Sequence, residues 1–281
     1  MVGVTESGEP THQWLAMIRK RLPPPEYEAA MRGPKLLINT ERAWVALIRS
    51  RAGTWESEIP VLGEPFRPVA APDEVLIVLG NRGGEDAFTH DPTTIGFDLA
   101  ALQEEYGAAG LPENLDRVDR FFRHEYTHLF QKAWLREHPH PTDSPLQAAL
   151  ADIWAEGLGN YYSLSARWRA VDGELSPTAQ ETLADLAPRF AARLSALACA
   201  SAESAAPLLA DLSRGRFDRK WGALPAALWL DAEMSRSGQV LGAFVRAGPE
   251  GVWDLAERHL PDLLAAVVRE ARQADSLCRD P

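Results

Sequence analysis

Cysteine is scarce. Cys199 and Cys278 are the two in 281 residues, far apart and outside any CxxC pattern. That argues against a disulfide framework and makes reduced thiols the expectation. Long apolar runs are missing as well. None approaches the roughly 20 residues of a membrane-spanning helix. The N-terminal stretch MVGVTESGEPTHQWLAMIRKRL has no uninterrupted apolar core of signal-peptide length. A cytoplasmic protein without a membrane partner is therefore expected. Basic residues are in deficit, with 29 Lys and Arg against 40 Asp and Glu and a formal net charge of −11. General nucleic-acid binding needs a cationic face to neutralise phosphate, so nucleic acid is not an expected partner. Tyrosine is sparse, and none follows Tyr162.

What is present is apolar content ordinary for a globular core, arranged in two textures. Residues 11–22 have helical periodicity (Trp14, Leu15, Ile18, Leu22), and Pro23-Pro24-Pro25 ends the run. From 35 to 98, short apolar runs alternate with Gly and Pro. KLLIN (35–39), EVLIVLG (74–80) and TTIGFD (93–98) read as strands. ERAWVALIRS (41–50) fits helix or strand, and NRGGED (81–86) is turn chemistry. Asp98 is placed to cap the helix LAALQEEY, and Gly107 to stop it.

Beyond Gly107 the pattern is helical. Pro112 opens a helix to about 137, with Leu115, Val118, Phe121, Phe122, Leu129 and Trp134 as candidate core positions. HPHPTDSP (138–145) is a loop, and Ser144-Pro145-Leu146-Gln147 is a capping box that starts the next helix. Further helices are expected at about 177–199, 203–213, 219–236, 238–246 and 250–273. The fold class is α+β: an N-terminal part over 1–110 holding the strands, then a helical part over 111–281, within one continuous domain.

The chemistry concentrates in HEYTH, residues 124–128. His124 and His128 lie one helical turn apart on one face, so both imidazoles reach one ion. Glu125, beside them, is positioned to take a proton from water rather than to bind the ion. Two neutral nitrogens and a carboxylate suit zinc better than magnesium or calcium. A catalytic zinc needs a third protein ligand and an open position. Glu156, on the next helix beside Ile153, Trp154, Gly157 and Leu158, is the candidate third ligand. A carboxylate beside a buried stripe is costly unless compensated, and a metal compensates it. Gly157 lacks a side chain where the two ligand helices could approach. Asp152 and Asn160, four residues to either side of Glu156, are candidates to hydrogen-bond a ligating histidine. A chance HExxH on an ordinary helix, with no metal, is the competing reading.

HEYTHLF followed by WAEGLGNYYS resembles the gluzincin clan of zinc metallopeptidases, the thermolysin-like group, over roughly residues 75–165. The chain looks nearest to predicted bacterial zinc-dependent proteases without assigned substrates. The resemblance implies one Zn²⁺ on His124, His128 and Glu156, with Glu125 as general base and proton shuttle. It implies a peptide or protein substrate. It further implies that the strand containing Thr94, Ile95, Gly96 and Phe97 is the edge strand that binds substrate backbone. Gln131 and Trp134 stand where metzincins carry glycine and a third histidine, so that group is excluded. His138 and His140 are rival ligands on a loop leaving the helix. Clan enzymes stabilise the oxyanion with a Tyr or His from a later helix. Trp221 stands where relatives carry Tyr, His259 and Arg236 are thin alternatives, and the oxyanion group is unassigned. The alternative function is a zinc-holding, peptidase-like module that binds a peptide or partner without cutting it.

Overall fold

The computed structural model describes residues 11–32 and 36–279, with side chains described to residue 274. It is mostly helical with a small three-stranded sheet, as the α+β expectation has it. The chain divides into two compact units, residues 1–63 with 69–133, and residues 64–68 with 134–281. The division falls at 133/134, inside a helix.

In the first unit α1 (His12–Arg21) starts at Thr11, whose hydroxyl accepts from the Trp14 amide. The prolines that end α1 also begin α2 (Pro24–Arg32), because proline suits a first helical turn. The helices α3 (Ile38–Ser50) and α4 (Ala52–Gly63) follow. KLLIN is therefore not a strand. Lys35 lies outside the described residues, and Ile38 and Asn39 open α3. Leu37 and Ile38 are exposed, and the buried face of α3 is Glu41, Trp44 and Ile48 at helical spacing.

The sheet comprises β1 (Leu76–Gly80), β2 (Ala87–Asp91) and β3 (Thr94–Asp98), in the order β1-β3-β2. The central strand β3 runs parallel to β1 and antiparallel to β2, with a register shift between Thr89 and Asp91. This corrects the edge-strand assignment of Thr94, Ile95, Gly96 and Phe97. All four are buried in the centre of the sheet, and the antiparallel edge is β2, which the sequence hid inside turn-like residues. Trp14, Met17 and Ile18 pack with Val78 and Phe88. Gly80 is required where it stands, since a Cβ there would meet the Trp14 ring at 2.1 Å.

Asp98 ends β3 and caps α5 (Leu99–Tyr106), accepting from the amides of Ala100 and Ala101. It also accepts from the amides of Arg82, Gly83 and Gly84, so one carboxylate ties the 81–84 turn to the helix start. Gly107 stops α5 as expected. Then α6 (Pro112–Glu137) carries HEYTH. Val118, Phe122, Leu129 and Trp134 are buried, but Leu115 is exposed.

In the second unit α7 (Pro145–Ser163) begins with the expected capping box. Its main neighbour is α10 (Ala223–Ser237), buried from Ala223 to Glu233. Between them in sequence lie α8 (Pro177–Leu197) and α9 (Ala202–Leu209). The chain closes with α11 (Val240–Ala247), α12 (Gly251–His259) and α13 (Asp262–Arg279), with Pro261 dividing the last expected helix in two. Gly157 does serve a close approach, but to α10: a Cβ there would stand 2.7 Å from that of Ala226. Cys199 is disulfide-bonded, against the expectation of reduced thiols. No helix among the described residues is long and apolar enough to cross a membrane.

Candidate metal centre

The helix α6 is anchored by polar groups as well as by its core face. Arg51 grips Asp119 with two bonds of 2.9 Å, and the Trp55 indole donates to the same carboxylate at 2.7 Å. One turn on, Arg123 forms a two-bond pair with Glu58. Trp55 stacks on Phe122 at 4.4 Å between ring centres, and Tyr126 continues the aromatic row to Phe130. These contacts fix the rotation of the helix about its axis. The HEYTH histidines then fall on a partly exposed face and Tyr126 in the core.

His124 and His128 point their Nε2 atoms at one another, 3.0 Å apart. Two nitrogens bound to one tetrahedral zinc at about 2.0–2.1 Å would stand about 3.3 Å apart. The Nδ1 of His128 lies 2.7 Å from the Gln131 carboxamide oxygen. An oxygen there accepts only from a protonated Nδ1, so Nε2 keeps its lone pair for a metal. Glu156 is on α7, and a carboxylate oxygen of it lies within 4.8 Å of the ligand nitrogens of both histidines. This His/His/Glu group could hold a metal ion. Among the described residues it is the one such group, and His138 and His140 do not belong to it. The His138 ring stacks on Trp134, and its Nδ1 sits 3.1 Å from the Trp134 carbonyl.

Glu125 is buried, 8 % exposed. The Thr89 hydroxyl shares its proton between Oε2 and the backbone carbonyl of Glu125, each at 2.8 Å, which ties α6 to the edge strand β2. Lys132, two turns beyond Glu125, donates to the Thr89 carbonyl at 3.5 Å. Burial pushes the Lys132 ammonium below the usual lysine range, while Glu125 and Asp91 pull it back up. The donor set around Glu125 is thus Thr89 on one oxygen and a nearby cation.

The flanking expectations divide. Asp152 is exposed and accepts from the Ser213 hydroxyl at 2.8 Å. Asn160 is buried, and its Nδ2 finds no partner among the described residues. Trp221 is fully buried with its indole donating to the Ala210 carbonyl, so it belongs to the core. His259 is bonded to Glu233 and Arg236 to the Gly173 carbonyl.

Three residues were missed. Gln131 was readable, since it follows His128 by three on a helix and shares its face. Lys132 follows Glu125 by seven and was readable in the same way. Thr89 carried no signal, because its contact depends on a strand distant in sequence. Comparison with protein-family models, with curated proteins and with solved structures finds no match.

Proposed function

We propose that the protein is a zinc-dependent metallopeptidase with His124, His128 and Glu156 as ligands and Glu125 as general base. The observation that carries this reading is the convergence of the three ligand atoms within 4.8 Å. The Gln131 bond, which frees His128 Nε2, agrees with it. Two imidazoles and one carboxylate are a donor set that fits zinc with a position left open. Zinc held there supplies a Lewis acid for a peptide carbonyl and acidifies water toward a pKa of about 7.

The chain's own residues do the rest. Thr89 holds Oε2 of Glu125 and leaves Oε1 to accept a proton from water. The same oxygen then returns the proton to the leaving amine. Burial of Glu125 keeps competing water from its carboxylate and strengthens its local interactions. The strand β2 is an edge of the sheet, where an extended peptide could pair, and Thr89 joins that strand to the base.

The test is zinc content and peptide cleavage measured on wild type, Glu125→Gln and Glu156→Ala. The expected result is zinc and turnover in wild type, zinc without turnover in Glu125→Gln, and loss of both in Glu156→Ala. Equal turnover by Glu125→Gln contradicts the base assignment. A second reading, a zinc-holding module that binds peptide without cutting, is favoured by one observation: Trp221, His259 and Arg236 all have other partners. Zinc and peptide binding without turnover in wild type would select it.

A further inference from the structure

We propose that the Lys132 ammonium, held against β2 beside Glu125, is a binding subsite for a carboxylate of the substrate. This rests on the metal-centre reading and names the class of peptide that the centre takes. Lys132 is partly buried, and its hydrogen bond among the described residues is to a neutral backbone carbonyl. Among the described residues no carboxylate comes within ion-pair distance of it, although acidic groups outnumber basic ones along the chain. An ammonium has three donors, so two remain after Thr89. Glu125 and Asp91 act on the ammonium from beyond ion-pair distance, so a ligand carboxylate in direct contact would be its first ion pair.

The surroundings point the same way. His90, the next residue on β2, feels the negative charge of Asp91 and the positive charges of Lys20, Lys132 and Arg21. Burial is the larger influence that pushes the His90 imidazole below its usual range. Arg21 is paired with Glu85 and lies over the Phe88 ring. On a chain of net charge −11 such a subsite would take a single carboxylate rather than an acidic tract, which the rest of the surface would repel. An oxyanion role suits Lys132 less well. Its ammonium is held on the Thr89 side, where Glu125 Oε2 is already engaged, one helical turn beyond His128.

The experiment uses three mercaptoacetyl peptides, whose thiol seeks zinc. One ends in a free carboxylate, one in the carboxamide, and one is a carboxamide with glutamate as its last residue. Each is made with one, two or three residues after the thiol, and calorimetric affinities are taken on zinc-loaded wild type and Lys132→Met. Wild type is expected to bind a carboxylate-bearing ligand about tenfold more tightly than the plain carboxamide, the scale of one charge-assisted hydrogen bond. Lys132→Met should bring that ratio to about one without changing zinc content or affinity for the plain carboxamide. Preference for the free terminus or for the glutamate side chain identifies the source of the carboxylate, and either supports the subsite. Equal affinities in zinc-loaded wild type overturn the subsite and leave the metal centre standing. A ratio unchanged by Lys132→Met, with slower cleavage of carboxamide peptides, overturns it in favour of an oxyanion role. Absence of zinc and of thiol binding overturns the metal centre and the subsite together.

Discussion

Gln131 is the residue that decides which nitrogen His128 offers. Its carboxamide oxygen accepts a hydrogen bond from Nδ1–H, so the other nitrogen faces His124. Gln131→Leu should therefore weaken zinc binding by about 10- to 100-fold. Competition with a chromogenic chelator measures this. Unchanged affinity would mean that the ring is oriented by something else. Thr89 plays the corresponding part for Glu125. In Thr89→Val the carboxylate loses its hydroxyl donor while the side-chain shape is nearly kept. The proposed mechanism then expects kcat to fall about tenfold or more, with zinc content unchanged. Steady-state kinetics beside metal analysis separates this loss from damage to the metal site.

At the scale of the element, α6 owes its setting to a buried charged contact. Asp119 holds Arg51 by two bonds and the Trp55 indole by a third, with little exposure. Asp119→Ala leaves Arg51 without its counter-ion and is expected to cost about 3 kcal/mol. Urea unfolding gives the value, and a loss below about 0.5 kcal/mol would contradict the anchoring role. Glu233 on α10 is a second such point. Burial works against its charge, but bonds from His259 and Arg258 outweigh burial and bring its pKa to about 2. A carboxylate depressed in the fold adds stability above its unfolded value and loses it as pH falls toward 2. Glu233→Gln should thus flatten the stability profile between roughly pH 4.5 and 2. A profile as steep as that of wild type would contradict it.

The elements also explain what the sequence disclosed. The ends of α1, α5, α6 and α7 were readable because Pro112, the Ser144–Gln147 box, Asp98 and Gly107 act on their immediate neighbours. The strand β2 was not readable. Phe88 is its one buried residue, and its order comes from pairing with β3. KLLIN misled because its apolar residues sit exposed at a helix start. His124, Glu125 and His128 were legible from spacing alone. The partners Thr89 and Ser213 came from distant segments and left no local mark.

For the whole molecule, the chain forms two compact units, and α6 belongs in sequence to both. A metal that binds the folded chain and not the unfolded one should add to its stability. Chelation of zinc is expected to lower the melting temperature, and zinc at about 100 times its Kd should restore close to 3 kcal/mol. Scanning calorimetry with and without chelator tests this.

The most direct test of the central claim is metal content by plasma mass spectrometry on purified wild type beside Glu156→Ala. The metal-centre account predicts about one zinc per chain in wild type and far less in the variant, as a three-ligand site requires. No zinc in either, even after anaerobic reconstitution with zinc, would make HEYTH an ordinary helical segment and contradict the account.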